Sequence, residues 1–218
     1  MIHLRVLCVL SAAWLACAAC MGQAAPLVVF VNPDRPGNPF WDKVTTVMQA
    51  AAKDLELTLE VRYGDTNREQ STRQALDAIQ GDPPADYLVY IYQVGQARRI
   101  LEAAEQAGVR SIIFNTDVAD QDRDLVGSPG EVYTQWIAHL VPDDFHAGAD
   151  LASRLIAAAR TREPERRAEL VGFNGGRDSS AARARAAGLE DVLSRREDAV
   201  LHQVLVSQWD ALLAAEQT

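Results

Sequence analysis

The chain has 218 residues, 48% of them hydrophobic and 23% charged, a globular composition that excludes wholesale disorder. Its 21 basic and 30 acidic side chains give a formal charge of -9, and no basic cluster is interleaved with aromatics, which argues against nucleic acid or an anionic membrane surface as partner. The length suits one large domain or two small ones.

The first 24 residues read as a secretory signal peptide. His3 and Arg5 form a short basic start, an apolar run extends from Val6 to about Ala19, and Gly22-Gln23-Ala24-Ala25 offers small residues for cleavage near Ala24. The run is short for a span of about 20 residues. A lipoprotein signal with Cys17 or Cys20 as the modified residue is the alternative, although neither cysteine has a leucine three positions upstream. Cleavage near Ala24 removes Cys8, Cys17 and Cys20, leaving no cysteine for a disulfide. The destination is extracytoplasmic, most simply a bacterial periplasm.

From Pro26 short apolar runs alternate with amphipathic stretches. Leu27 to Val31 suits a strand buried on both faces, and Asn38-Pro39 suits a helix cap followed by a first-turn proline. Apolar residues at Phe40, Val44, Val47, Met48, Ala51, Ala52 and Leu55 predict one buried helical stripe. Leu57 to Tyr63 reads as a second strand, and Thr66 with Glu69 as a capping box opening a helix with Thr72, Ala75, Leu76 and Ile79 inward. Asp86 to Tyr92 is a third strand. The helix after it turns Ala97, Ile100, Leu101 and Ala104 inward and stops at Gly108, and Arg110 to Asn115 is a fourth strand. The order points to right-handed parallel βαβ units.

Asp117 to Gly130 reads as a polar connector. Trp136 to Val141 follows as a strand, Pro142-Asp143-Asp144 opens a helix to about Arg160, and Glu169 to Phe173, a Gly175-Gly176 turn, a helix from Ser179 and Val200 to Val206 complete one more unit. The division expected is a leader over 1–24, a first α/β lobe over 26–135, and a hinge crossing with a partial second lobe over 136–218. A full parallel lobe takes about 100 residues or more, so the second lobe is expected to be incomplete and less stable than the first.

Four segments resemble the type 1 periplasmic binding proteins, the ribose-binding-like receptors of bacterial ABC transporters and chemotaxis. They are Asn38-Pro39-Phe40-Trp41 after the first strand, Ala107-Gly108-Val109-Arg110 through Asn115, Pro142-Asp143-Asp144 with Gly148, and Gly172-Phe173-Asn174-Gly175 with Ser180 to Arg183 and Gly188-Leu189. LacI-type repressors share such lobes but begin with a helix-turn-helix, whereas this chain begins with a leader. The resemblance implies an α/β fold of two lobes with parallel sheets flanked by helices. It also implies a sugar or other polyhydroxylated ligand between the lobes, an ABC permease or membrane sensor as partner, a monomer, no cofactor and no chemistry on the ligand. The family continues beyond the position of Trp209, so the resemblance implies a chain truncated at its carboxyl end. Where the family often has an acidic residue after the fourth strand, this chain has Asn115-Thr116, with Asp117 two positions on.

The ligand contacts expected on this reading are Asn38, Phe40, Trp41, Asn115, Asp117, Arg183 and Trp209. Trp41 lies about 100° of helical rotation from Phe40, off the apolar stripe, and suits either a platform under a sugar ring or a packing role. Phe40, on the stripe, suits core packing as well as ligand contact. Asn38 can cap its helix and face ligand at once. Arg183 suits clamping hydroxyls or simple solvation. Trp209 could form the second half of an aromatic sandwich or seal a core. Enzymatic readings fare poorly. Asp143, Asp144 and His146 sit at a helix start where carboxylates cap, no His-Glu-x-x-His or Walker lysine occurs, and Ser179-Ser180 lacks the G-x-S-x-G elbow of a secreted α/β hydrolase. A sensor module serving a histidine kinase or chemoreceptor differs from a transport receptor only in its partner.

Overall fold

The computed structural model describes residues 24–218, so the leader and its cysteines lie outside the described residues. Among the described residues no helix is long and apolar enough to cross a membrane.

The first lobe is a five-stranded parallel sheet in the order β2-β1-β3-β4-β5. Its strands are β1 (Leu27–Asn32), β2 (Thr58–Tyr63), β3 (Tyr87–Tyr90), β4 (Arg110–Phe114) and β5 (Trp136–Leu140). The intervening helices are α1 (Pro39–Asp54), α2 (Arg68–Gln80), α3 (Ala97–Ala107) and α4 (Asp120–Val126). The second lobe holds α5 (Asp144–Arg162), β6 (Ala168–Asn174), α6 (Ser180–Ser194), β7 (Ala199–Val206) and α7 (Ala211–Glu216), with β6 and β7 paired in parallel.

The expected caps form in part. Asn38 accepts from the amides of Phe40 and Trp41, and Gly108 ends α3 in the left-handed region at φ 70°. At α2 the cap is Asn67, which accepts from the Gln70 amide, not the Thr66 and Glu69 box. Thr66 stands in the left-handed region at φ 59°, inside a turn that leaves β2 too tightly for it to cap. The expected connector over 117–130 contains α4. β5 pairs with β4 and completes the first sheet, so the first lobe runs on to Leu140 rather than ending at 135, and the chain crosses at 141–143.

The face of α1 is also rotated from the expected stripe. Phe40, Val47 and Leu55 are exposed, while Thr45 and Ala52 are buried and Trp41 is half-buried. Two contacts set this rotation. The fully buried Asn32 amide needs an interior partner and donates to Thr45 Oγ1 at 3.2 Å, and the Trp41 ring leans on buried Phe30 with centroids 6.4 Å apart.

Packing differs between the lobes. In the first, Val29, Val31, Ile79, Leu88, Leu101, Ile113 and Trp136 belong to one continuous buried cluster. In the second, the buried cluster is Ile156, Ala168 and Ala199, and Val171 and Phe173 of β6 remain about half exposed. What holds the second lobe is the crossing of α5 and α6. There Gly148 lies against the Arg185 backbone and Gly188 against the Phe145 carbonyl, each so close that an added Cβ would stand about 2 Å from the neighbouring oxygen. Arg185 then reaches the buried Asp144 carboxylate through Nε at 2.8 Å and Nη2 at 2.7 Å, fixing the start of α5 to α6.

Candidate functional site

In parallel α/β sheets the strands all end on one edge, where loops and helix starts meet. Both lobes turn that edge toward each other. Between them lies a cleft of about 400 Å³ lined by Arg68, Val94, Ala119, Asp120 and Gln121 of the first lobe and by Asp178 and Arg183 of the second.

Each lining residue is presented by a strand end. Arg68 opens α2 after a turn in which Asp65 and Thr66 both adopt positive φ, and its Nη1 donates to the Val94 carbonyl at 3.3 Å. Beyond β3, the Tyr92 hydroxyl donates to the Asp122 carboxylate, and Thr116 Oγ1 donates to the Tyr92 carbonyl at 3.0 Å. Burial and the Asp122 carboxylate hold the Tyr92 phenol well above its ordinary range, while the positive charge of Arg183 from the opposite lobe acts against them. Asn174, at the end of β6, donates to the Ala182 carbonyl at 3.0 Å, and Ser179 caps α6, so Ser180 and Arg183 project from a fixed helix start.

Direct bonds join the lobes. Arg68 Nη2 lies 2.6 Å from Asp178 Oδ2, and the Asp117 amide donates to Ser180 Oγ at 3.0 Å. Arg183 Nη1 reaches the Arg177 carbonyl only at 3.5 Å, leaving most of its guanidinium donors available. The cleft therefore offers strong donors and charged acceptors from both sides. A hydroxyl both donates and accepts, so this mixture suits polyhydroxylated molecules.

Of the residues expected from sequence to touch ligand, Arg183 lies in the lining of the cleft. Asp117 lies beside it, with Oδ2 held by Arg123 at 2.7 Å, Oδ1 accepting from the Val118 amide and the backbone bound to Ser180. Asn115 ends β4 at φ 66° and donates its amide to the Leu140 carbonyl. Asn38 spends its side-chain oxygen on the α1 cap and its amide on Asp34 at 2.7 Å. Trp41 packs between Phe30 and Phe40, and the Phe40 ring meets it edge-on at 5.0 Å. Trp209 lies against Gly175 and carries the Arg185 guanidinium 5.8 Å from its ring centre. Neither tryptophan lines the cleft. Arg68, Asp120, Gln121 and Asp178 were missed. Their signal was position alone, immediately after a strand end or at a helix start.

These features define a two-lobed α/β protein whose strand ends face a shared cleft. The chain belongs to the periplasmic binding protein domain family, whose model matches residues 28–218. Comparison with curated protein sequences found no match. Among solved structures, a periplasmic sugar-binding protein from Pseudomonas fluorescens is similar at 28% identity and TM-score 0.76, over 88% of this chain and 55% of that one. An ABC transporter solute-binding protein from Actinobacillus succinogenes with bound D-allose aligns at 15% identity and TM-score 0.75, over 88% and 63%. The binding component of the arabinose ABC transporter from Shewanella sp. ANA-3, bound to L-arabinofuranose, aligns at 15% identity and TM-score 0.71, over 88% and 58%. The last two show the fold alone. The chain spans between 55% and 63% of the length of these structures.

Proposed function

We propose that this protein is a periplasmic solute-binding protein that holds a sugar or similar polyhydroxylated molecule between its lobes, without chemistry, for an ABC permease. The observation that carries this reading is the cleft itself, about 400 Å³ in volume, lined from both lobes by arginine forks, carboxylates and the Gln121 amide. A site of that volume accommodates a monosaccharide, since small-molecule sites run from about 300 to 1,000 Å³. Sugar hydroxyls would bond to Arg183 and Gln121 and to the carboxylates of Asp120 and Asp178, and the lobes would close around the ring by hinge motion at 141–143. The similar periplasmic sugar-binding protein from Pseudomonas fluorescens, at 28% identity, supports the ligand class, and the leader read from sequence supports export. The permease is the partner that the family resemblance implies.

The test is a panel of pentoses and hexoses, in furanose- and pyranose-favouring forms, screened by thermal shift and then by calorimetry. A ligand at about 100 times its Kd stabilises the folded state by about 2.7 kcal/mol, a shift easily read. One sugar class should raise the melting temperature saturably and be recovered unchanged. A panel with no saturable shift, or recovery of a chemically altered sugar, overturns the reading.

A further inference from the structure

We propose that Arg68 and Asp178 form a salt-sensitive latch that draws the two lobes together across the cleft before any ligand arrives. Among the described residues the chain passes between the lobes at 141–143, so their relative placement depends on non-covalent contacts. Two side-chain bonds span the gap, Arg68 to Asp178 at 2.6 Å and the Asp117 amide to Ser180 at 3.0 Å. The first is the charged one. Both of its partners are protein groups, so it needs no ligand to form.

Its two ends are presented for the purpose. Arg68 is steadied by its second bond to the Val94 carbonyl, which leaves Nη2 aimed across the cleft. Asp178 stands in the turn closed by the bond from the Ser179 amide to the Gly176 carbonyl, just before α6. Both residues also line the cleft, so opening it for a ligand separates this pair, and a bound ligand then meets both charges. This extends the reading of the cleft as the ligand site. The side chains are 43% and 66% exposed, which makes the contact modest and strongly screened. An exposed pair of this kind shifts an open-to-closed ratio by up to about fivefold.

The experiment uses the ligand-free protein carrying Gln49→Cys in α1 and Ala157→Cys in α5, both exposed, labelled for single-molecule energy transfer. Salt is raised from about 0.01 M to about 1 M, over which the screening length falls from about 30 Å to about 3 Å. The parent should open with salt, by up to about fivefold. Arg68→Gln and Asp178→Asn should start more open and respond little, and the exchanged pair Arg68→Asp with Asp178→Arg should recover the parent's response. A parent indifferent to salt, or single variants that respond as it does, overturns the latch. No sugar is present in any arm, so the latch can fail while sugar binding stands, and the reverse.

Discussion

Replacing Gly188 by alanine tests the element on which the second lobe depends. In an unconstrained helix interior this change is favourable by about 1 kcal/mol, because alanine loses less backbone entropy. Here the new Cβ would stand 2.0 Å from the Phe145 carbonyl oxygen, 2.8 Å from the Ala149 nitrogen and 3.0 Å from the Phe145 carbonyl carbon. Ordinary contact begins near 3.4 Å, so α5 and α6 must part by about 1.4 Å, against backbone that cannot rotate away. Overpacking of this kind costs about 1–3 kcal/mol, and rigid backbone puts the cost toward the upper end. After the helix gain a net loss of about 1–2 kcal/mol remains, or about 2–8 °C in melting temperature for a chain of this size. Gly148→Ala should behave alike, since its Cβ would lie 2.1 Å from the Arg185 carbonyl oxygen. Differential scanning calorimetry reads both, with the exposed Ala187→Gly as the opposite control, expected to lose about 1 kcal/mol. A Gly188→Ala protein that melts higher than its parent would refute the close crossing of α5 and α6.

Other substitutions follow from single sites. Asp198 is held down at about 2 by paired hydrogen bonds from Arg196, so it stays ionised where an unfolded aspartate, with a pKa of about 3.9, takes up a proton. Its contribution is complete above about pH 4 and is lost as pH falls toward 2, so Asp198→Asn should flatten the acid limb of stability in that window when melting is followed against pH. An unaltered acid limb would show that the pair forms equally in the unfolded chain. Asn38→Ala removes the α1 cap and should cost about 1 kcal/mol by denaturant titration. An unchanged midpoint would mean that solvent caps the helix as well. Among the described residues the buried Tyr90 hydroxyl has no partner, and it borders a cavity of about 10 Å³ lined also by Ser71 and Thr72, so Tyr90→Phe should melt at or above the parent's temperature. A loss beyond about 1 kcal/mol would place a hydrogen-bonded water in that cavity.

The order of strands and helices was largely legible because most of the parallel strands carry apolar runs and five of the seven described helices begin at a side-chain cap. The inward faces of α2 and α3 followed from spacing, since Ala75, Leu76, Ile79, Ile100, Leu101 and Ala104 are all buried. The α1 face was not, because its rotation is set by a buried polar pair, Asn32 with Thr45, which a hydrophobic stripe cannot register. The helix inside 117–130 was hidden by its polarity, and β5 joined the first sheet through long-range pairing that no local pattern encodes. The same limit governs the site. Arg183 was found because a motif drew attention to it. Arg68 and Asp178 are ordinary surface charges in sequence, 110 positions apart, and only the facing strand ends bring them within 2.6 Å. Attention to the first helical residue after every strand would have selected Arg68.

A ligand held between the strand ends of both lobes should be visible directly in amide hydrogen exchange measured with and without a saturating sugar. Protection should rise together in the segments after β3 and β4, over 92–96 and 115–123, and in the start of α6, over 174–183, while the outer turns of α1 and α5 exchange as before. Protection confined to one lobe, or spread over the exposed faces with the cleft segments unchanged, would contradict that placement.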